Sequence, residues 1–135
     1  MSATNAFFDT NVVSYFASAD AAKASRSGEL LRAGGVISVQ VLNEFAAMAR
    51  RKYGLPWPSI RAVLAAVRST CTVTELTVTT HELGLALAER HQINVYDGMI
   101  VAAAQLAGCK MLYSEDMHDG LVIDQLTIRN PFAAS

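Results

Sequence analysis

The sequence predicts an α/β fold, a three-layer α/β/α sandwich with a mainly parallel central sheet. Two observations carry that expectation. Short apolar or β-branched runs alternate with longer segments of helical periodicity along the whole chain, and no internal repeat or low-complexity linker interrupts them. With 135 residues, 52% of them hydrophobic, the chain also has the length and apolar content for one core, so residues 1–135 are read as a single domain.

The first strand is Ala6-Phe7-Phe8, which runs into the polar turn Asp9-Thr10-Asn11, with a helix starting near Val12. A helix is expected from about Ala22 to Ala33, stopped by Gly34-Gly35, and a second strand over Val36 to Val39. The next helix runs from Gln40 to about Tyr53. Gly54 and Pro56-Trp57-Pro58 then break the chain before a helix from roughly Ser59 to Ser69. The β-branched run Thr72 to Val78 follows. Thr79, with Glu82 three residues on, has the form of a capping box and opens a helix to about His91. A further helix begins around Asp97, carries Ile100, Val101 and Ala104 on one face and stops at Gly108. Strands at Lys110 to Ser114 and Gln125 to Ile128 complete the sheet, ahead of Asn130-Pro131.

Composition removes several classes of function. No stretch approaches the roughly 20 apolar residues of a membrane span, and MSATNAFFDTNVV lacks the basic-then-apolar layout of a signal peptide, so a cytoplasmic protein is expected. Cys71 and Cys109 match no metal or redox spacing and read as reduced packing residues. There is no Gly-rich phosphate loop, no nucleophile elbow, and no cysteine with a partner histidine. His81 and His91 fall off one helical face, and His118 stands beside Asp116. The net charge is only −1, yet residues 1–68 hold eight bases against four acids. Within that half, Arg50-Arg51-Lys52 is a candidate phosphate-binding run as well as an ordinary solvated helix end.

The acids carry the chemistry. Asp9 and Asp116 follow predicted strands and Asp97 opens a helix, so all three can converge on the carboxyl edge of the sheet, where ligands bind in such folds. Glu44 lies in mid-helix on a stripe with Val41 and Met48 that is expected to face the core. A carboxylate there needs a cation or strong hydrogen bonds, and acids pressed together repel unless a metal neutralises them. Oxygen donors without thiolates or paired histidines favour Mg²⁺ or Mn²⁺ over zinc, ions suited to phosphodiester hydrolysis. Singly, each acid also has a plain reading: Asp9 and Asp97 as helix caps, Asp116 as a turn residue, Glu44 as a side chain reaching to solvent.

The ordered set Asp9 in FFDTNVV, Glu44 in ISVQVLNEF, Asp97 in VYDGMIVAAA and Asp116 in LYSEDM resembles the PIN domain, and the likeness runs nearly end to end. Within that family it is most similar to VapC-type toxins, through Asp-Thr-Asn after the strand, the Ala-rich segment after the third acid and the closing LTIRNPF. The resemblance implies an acidic pocket binding Mg²⁺ or Mn²⁺ and endonucleolytic cleavage of RNA, with Asp9, Glu44, Asp97 and Asp116 as metal-binding catalytic acids and Asn11 and Ser114 as polar support. It also implies a homodimer and a cognate antitoxin that blocks the pocket and itself binds operator DNA. One position departs: where many PIN domains carry a further acid two residues after the fourth, this chain has His118, with Asp119 one step beyond. Gly98, directly after Asp97, occupies a place where a helix former is favoured by up to roughly 1 kcal/mol, which points to close backbone approach.

Two alternatives remain on the residues alone. Asp9 after an apolar strand resembles the nucleophile of a haloacid-dehalogenase-like phosphatase, but position 11 is Asn11 rather than the second acid that chemistry uses. A PIN-like module that binds RNA or protein without cutting is the other. Apolar residues left exposed near the first helices are expected to serve partner contacts.

Overall fold

The apolar run before Asp9 becomes β1 (Ala6–Phe8), the strand about which the sheet is wound. The computed structural model describes residues 5–133. After β1 come α1 (Thr10–Phe16), α2 (Ala21–Ala33), β2 (Gly35–Ser38), α3 (Val39–Tyr53), α4 (Trp57–Thr70) and β3 (Cys71–Thr74). Then α5 (Val78–His91), α6 (Val95–Leu106), β4 (Met111–Tyr113), β5 (Val122–Ile123) and β6 (Leu126–Arg129) follow. The sheet order is β3-β2-β1-β4-β6-β5, parallel throughout except for β5.

From β1 the chain steps outward to β2 and β3, then returns across the sheet to place β4 on the other side of β1. Because such crossovers are right-handed, reversing direction puts their helices on opposite faces. Helices α1 to α4 accordingly pack among themselves, while α5 and α6 form the other layer and α6 lies against β2 and β4. The expected three-layer sandwich is what the chain forms. The direction reverses between β1 and β4, where Phe7 pairs with Leu112 and Phe8 with Tyr113. A crevice opens beyond the carboxyl ends of two strands at such a point.

The core is built where periodicity placed it. Phe7, Phe8, Ile37 and Leu112 are buried in the sheet, and Ile100 and Val101 in α6. Both cysteines are buried, their ionisation pushed up by burial, Cys109 to about 11.

Several boundaries differ from the sequence expectation. Helix α5 starts two residues early: Thr77 is its N-cap and exchanges hydrogen bonds with Thr80, so the expected Thr79–Glu82 box is absent. Thr80 is buried and Thr79 exposed, and inward packing selects the register. This shortens the strand expected over Thr72 to Val78 to Cys71–Thr74. Helix α6 is capped by Asn94, which places Asp97 in its first turn, not at its opening. Helix α4 begins at Trp57 because Pro58 sits in the first turn, where its missing N–H has no helical partner to lose. The two-residue antiparallel strand β5 had no signal strong enough to read; Asp124 with φ 56° makes its turn into β6.

Gly98 faces α5. A Cβ on it would lie 2.5 Å from the Gly84 carbonyl oxygen, and one on Gly84 would lie 2.4 Å from Met99 Sδ. The two glycines let α5 and α6 touch backbone to backbone. Gly98→Ala is therefore expected to destabilise the protein by about 2 kcal/mol through overpacking, despite the better helix propensity of alanine. Urea unfolding measures this, and a stabilised variant would refute the contact.

Candidate functional site

Asp9 closes β1 and caps α1 in extended geometry, with φ −71° and ψ 165°. It is 5% exposed, and its backbone N–H donates to the Tyr113 carbonyl, locking it to the end of β4. Its Oδ1 accepts from the Thr10 N–H at 2.7 Å and its Oδ2 from Ser114 Oγ at 2.7 Å. Asn11 Nδ2 reaches Asp9 Oδ2 at 3.4 Å and Asp116 Oδ2 at 3.3 Å, while its Oδ1 accepts from the Glu115 N–H. Asn11 thus spans two acids that are 107 positions apart in the chain. Ser114 Oγ also accepts from the N–H groups of Asp116 and Met117, shaping the loop after β4.

Glu44 is half-buried. The core stripe of α3 is Val41, Phe45 and Ala49, so Glu44 and Met48 lie one step off it, at the pocket wall. The expectation that this acid faces the core is corrected accordingly. Thr10 Oγ1 donates to Glu44 Oε1 at 2.6 Å, and Gln40 Nε2 donates to Oε2 at 3.3 Å and to the Tyr96 carbonyl at 3.1 Å. Gln40 therefore ties α3 to the start of α6. There Asn94 and Asp97 exchange hydrogen bonds: the Asp97 N–H to Asn94 Oδ1 at 2.8 Å and Asn94 Nδ2 to Asp97 Oδ2 at 3.0 Å.

The four acids share one electrostatic field. Burial raises the Asp9 carboxyl to about 6, against the Ser114 and Thr10 hydrogen bonds, with the charges of Asp97 and Asp116 adding to the rise. Burial also raises Asp97, helped by the charges of Asp116 and Glu44 and opposed by Asn94. Among the described residues no group of three carboxylate, imidazole or thiol side chains is gathered tightly enough to enclose an ion. An all-protein cage is not what this donor set resembles. Oxygen donors under mutual repulsion, with room for water, fit a hydrated Mg²⁺-like ion, which keeps several waters and takes one or two carboxylates directly.

A cavity of about 600 Å³ opens beside the acids, bordered by Thr10, Asn11, Glu44 and Asp116 and also by Arg51, Lys52, Tyr53 and Tyr96. Asp97 borders a smaller hollow of about 180 Å³ with His118, and Asp116 borders both. Arg50 is not part of this lining. It donates to the Leu55 carbonyl at 2.9 Å and stacks over the Trp57 ring at 4.7 Å. Asp119 is also elsewhere, accepting from the Asn130 N–H.

Four supporting groups had not been singled out. Gln40 and Asn94 carried a signal, standing four residues before Glu44 and three before Asp97, both helical neighbours. Thr10 lies beside Asp9, but nothing in the sequence connects it to Glu44. The ion pair of Lys23 Nζ with Glu115 Oε2 at 2.6 Å carried none. Burial alone would raise Glu115; the hydrogen bonds from Lys23 and Tyr15 hold it below its ordinary value. That cluster anchors the loop bearing Asp116 to α1 and α2.

A three-layer sandwich with acids gathered at the β1–β4 switch point defines the class of protein. The chain belongs to the PIN-domain family, whose model matches residues 6–118. Its fold is similar to that of VapC20 from Mycobacterium tuberculosis, a sarcin-ricin loop cleaving toxin, at 21% identity and a TM-score of 0.65, covering 82% of this chain and 89% of that one. It is also similar to a chain of a toxin–antitoxin complex from Klebsiella pneumoniae, at 22% identity and a TM-score of 0.69, covering 96% and 99%. A protein from Pyrobaculum aerophilum matches at 19% identity and a TM-score of 0.61, covering 84% and 76%. Comparison with curated protein sequences returned no match. No helix among the described residues is long and apolar enough to cross a membrane.

The raised Asp9 carboxyl makes stability depend on pH in a definite direction. Between its ordinary value of 3.8 and about 6, the folded chain holds a proton that the unfolded chain has released. Metal-free protein is therefore expected to lose stability as pH rises from about 4 to 6, by up to about 3 kcal/mol from this group. Urea unfolding in chelator across that interval measures the loss, which Asp9→Ala should diminish. An unchanged slope in the variant would show that Asp9 is not its source.

Proposed function

We propose that the chain is a metal-dependent endoribonuclease acting as the toxin of a toxin–antitoxin pair, a VapC-type member of the PIN family. The observation that carries this reading is the four-acid field at the sheet's carboxyl edge, opening onto a cavity large enough for a nucleotide. The likeness in fold to VapC20 and to the Klebsiella pneumoniae toxin–antitoxin chain supports the biological role.

In this reading Asp9 and Asp97 hold the principal ion, and Glu44 and Asp116 complete its shell or a second one and orient the attacking water. Mg²⁺ or Mn²⁺, when bound, would polarise the scissile phosphate and lower the pKa of that water. The chain's own work is positional. Ser114 and the Thr10 N–H fix both oxygens of Asp9, and Asn11 sets its spacing from Asp116. Thr10 and Gln40 hold Glu44 in the pocket wall. Arg51 and Lys52, which border the same cavity as Glu44 and Asp116, would attract the RNA backbone; Arg50, of the same basic run, acts from outside the pocket.

The protein would work in the cytoplasm as a homodimer, with a cognate antitoxin that blocks the pocket and carries the operator-DNA contact. Large exposed apolar side chains gather around the starts of α5 and α6, including Leu76, Val78, Val95 and Tyr96, a place the sequence did not locate. That face suits partner contacts. A phosphatase using Asp9 as nucleophile is disfavoured, since position 11 is Asn11 and not the second acid that chemistry uses. The spacing of the acids leaves a non-catalytic RNA- or protein-binding module as the second reading.

Cleavage of a mixed RNA pool in Mg²⁺ or Mn²⁺, with an EDTA control, separates these readings. Cutting is expected to require the metal and to vanish in Asp9→Asn and Asp97→Asn. Folded, metal-loaded protein without antitoxin that cuts nothing would favour the binding module. Thr10→Val, which replaces the hydroxyl supporting Glu44 with a methyl group, should lower activity or metal affinity about 10- to 100-fold; full activity in that variant would show that the Thr10 hydrogen bond does not position Glu44 for the reaction.

A further inference from the structure

From residue 45 to residue 74 the chain contains five bases, Arg50, Arg51, Lys52, Arg61 and Arg68, and no acid, although the whole protein carries a net charge of −1. This segment comprises most of α3, all of α4 and strand β3. All five bases are exposed, and among the described residues none of them forms an ion pair. Helix α4 buries Ile60 and Val67. Trp57, Arg61 and Arg68 follow at i, i+4 and i+11, which at 100° per residue is one narrow strip beside that buried edge. Trp57 is 51% exposed, with the Arg50 guanidinium stacked on it. The strip therefore joins the end of α3, whose Arg51 and Lys52 border the large cavity. Arg61 and Arg68 lie about 10 Å apart along the helix axis.

We propose that this strip of α4, Trp57 with Arg61 and Arg68, is a second RNA-binding surface that takes the sugar–phosphate backbone flanking the cleavage site and leads it to the Arg51–Lys52 side of the pocket. The inference rests on the ribonuclease reading and adds a substrate requirement: RNA long enough to reach from the acids across α4. A polyanion is the fitting occupant, because an exposed surface of cations without partners attracts phosphates through counterion release. RNA is favoured over an acidic protein segment because the strip meets, through Arg50 on Trp57, the helix end whose Arg51 and Lys52 border the cavity beside the acids. An exposed Trp also offers a stacking face to an unpaired base.

Trp57 is the protein's single tryptophan, so its emission reports from the surface itself. The experiment titrates mixed-sequence single-stranded RNA into the full-length Asp9→Asn variant in chelator, following Trp57 emission and RNA anisotropy at several salt concentrations. Saturable change in emission is expected. Arg61→Ala with Arg68→Ala should weaken binding about tenfold and flatten the logarithmic salt slope by about 0.7 per lost contact. Arg61→Lys with Arg68→Lys should restore most of the affinity, with circular dichroism confirming that each variant folds. Unchanged affinity and salt slope in the double alanine variant would overturn the proposal. So would Trp57 emission that responds to poly-glutamate and not to RNA, or that changes with protein concentration alone, which would mark a protein partner or a second copy. Wild-type protein that cleaves in Mg²⁺ while the double alanine variant binds normally would sink the α4 surface and leave the ribonuclease standing. Wild-type protein that neither cleaves nor binds RNA would remove both.

Discussion

A buried carboxylate beside three other acids is the constraint on which the rest of the site depends. Asp9 is removed from water and lies in the field of Asp97 and Asp116, so without compensation it resists ionisation. The compensation consists of the Ser114 hydroxyl, at the end of β4, and the Thr10 N–H, in the first turn of α1. Ser114 is itself fully buried and stands at the end of β4, so its hydroxyl can meet Asp9 only because β1 and β4 are paired in register. The polar network and the sheet's switch point are thus one arrangement seen at two scales.

Around that centre the charges are separated by element. The sheet edge and the starts of α1 and α6 supply acids, while the far end of α3 and the whole of α4 supply bases. A balanced total charge conceals this division. Lys23 is the exception, a base on the acidic side, and it is spent on Glu115: the pair neutralises the one acid in the Ser114–Asp116 loop that is not directed to the cluster. The fused pair also packs on Tyr15 and Phe132, so the loop is held by charge and by aromatic contact together.

Much of this was legible in the sequence, and the rest was not for physical reasons. Asp9 after Phe7-Phe8, and the loop after Met111–Tyr113, could be placed because an apolar run ending in a polar turn is a local signal. Glu44 was placed on its helix but one step out of phase, because Met48 is apolar without being buried. The start of α5 was misread because Thr77 and Thr79 are equally good caps in isolation; which one serves is decided by the burial of Thr80, a tertiary fact. The Thr10–Glu44 and Lys23–Glu115 contacts join residues with no periodic relation and could not be inferred from spacing. Arg50 looked identical to its neighbours in sequence, and only the fold of the Gly54–Pro56 turn sends it to Trp57. Gly98 was read correctly as a place of close approach, though its partner, Gly84, was not identified.

The pairing of β1 with β4 also has a consequence for the order of folding. Residues 6–8 pair with residues 111–113, more than a hundred positions further along the chain, and the Ser114–Asp116 loop follows that partner strand. Closing so long a stretch is entropically slow, so this pairing comes late in folding. Until then Asp9 has neither its buried setting nor Asp116 beside it. The acidic centre therefore comes into being in the same event that joins β1 to β4.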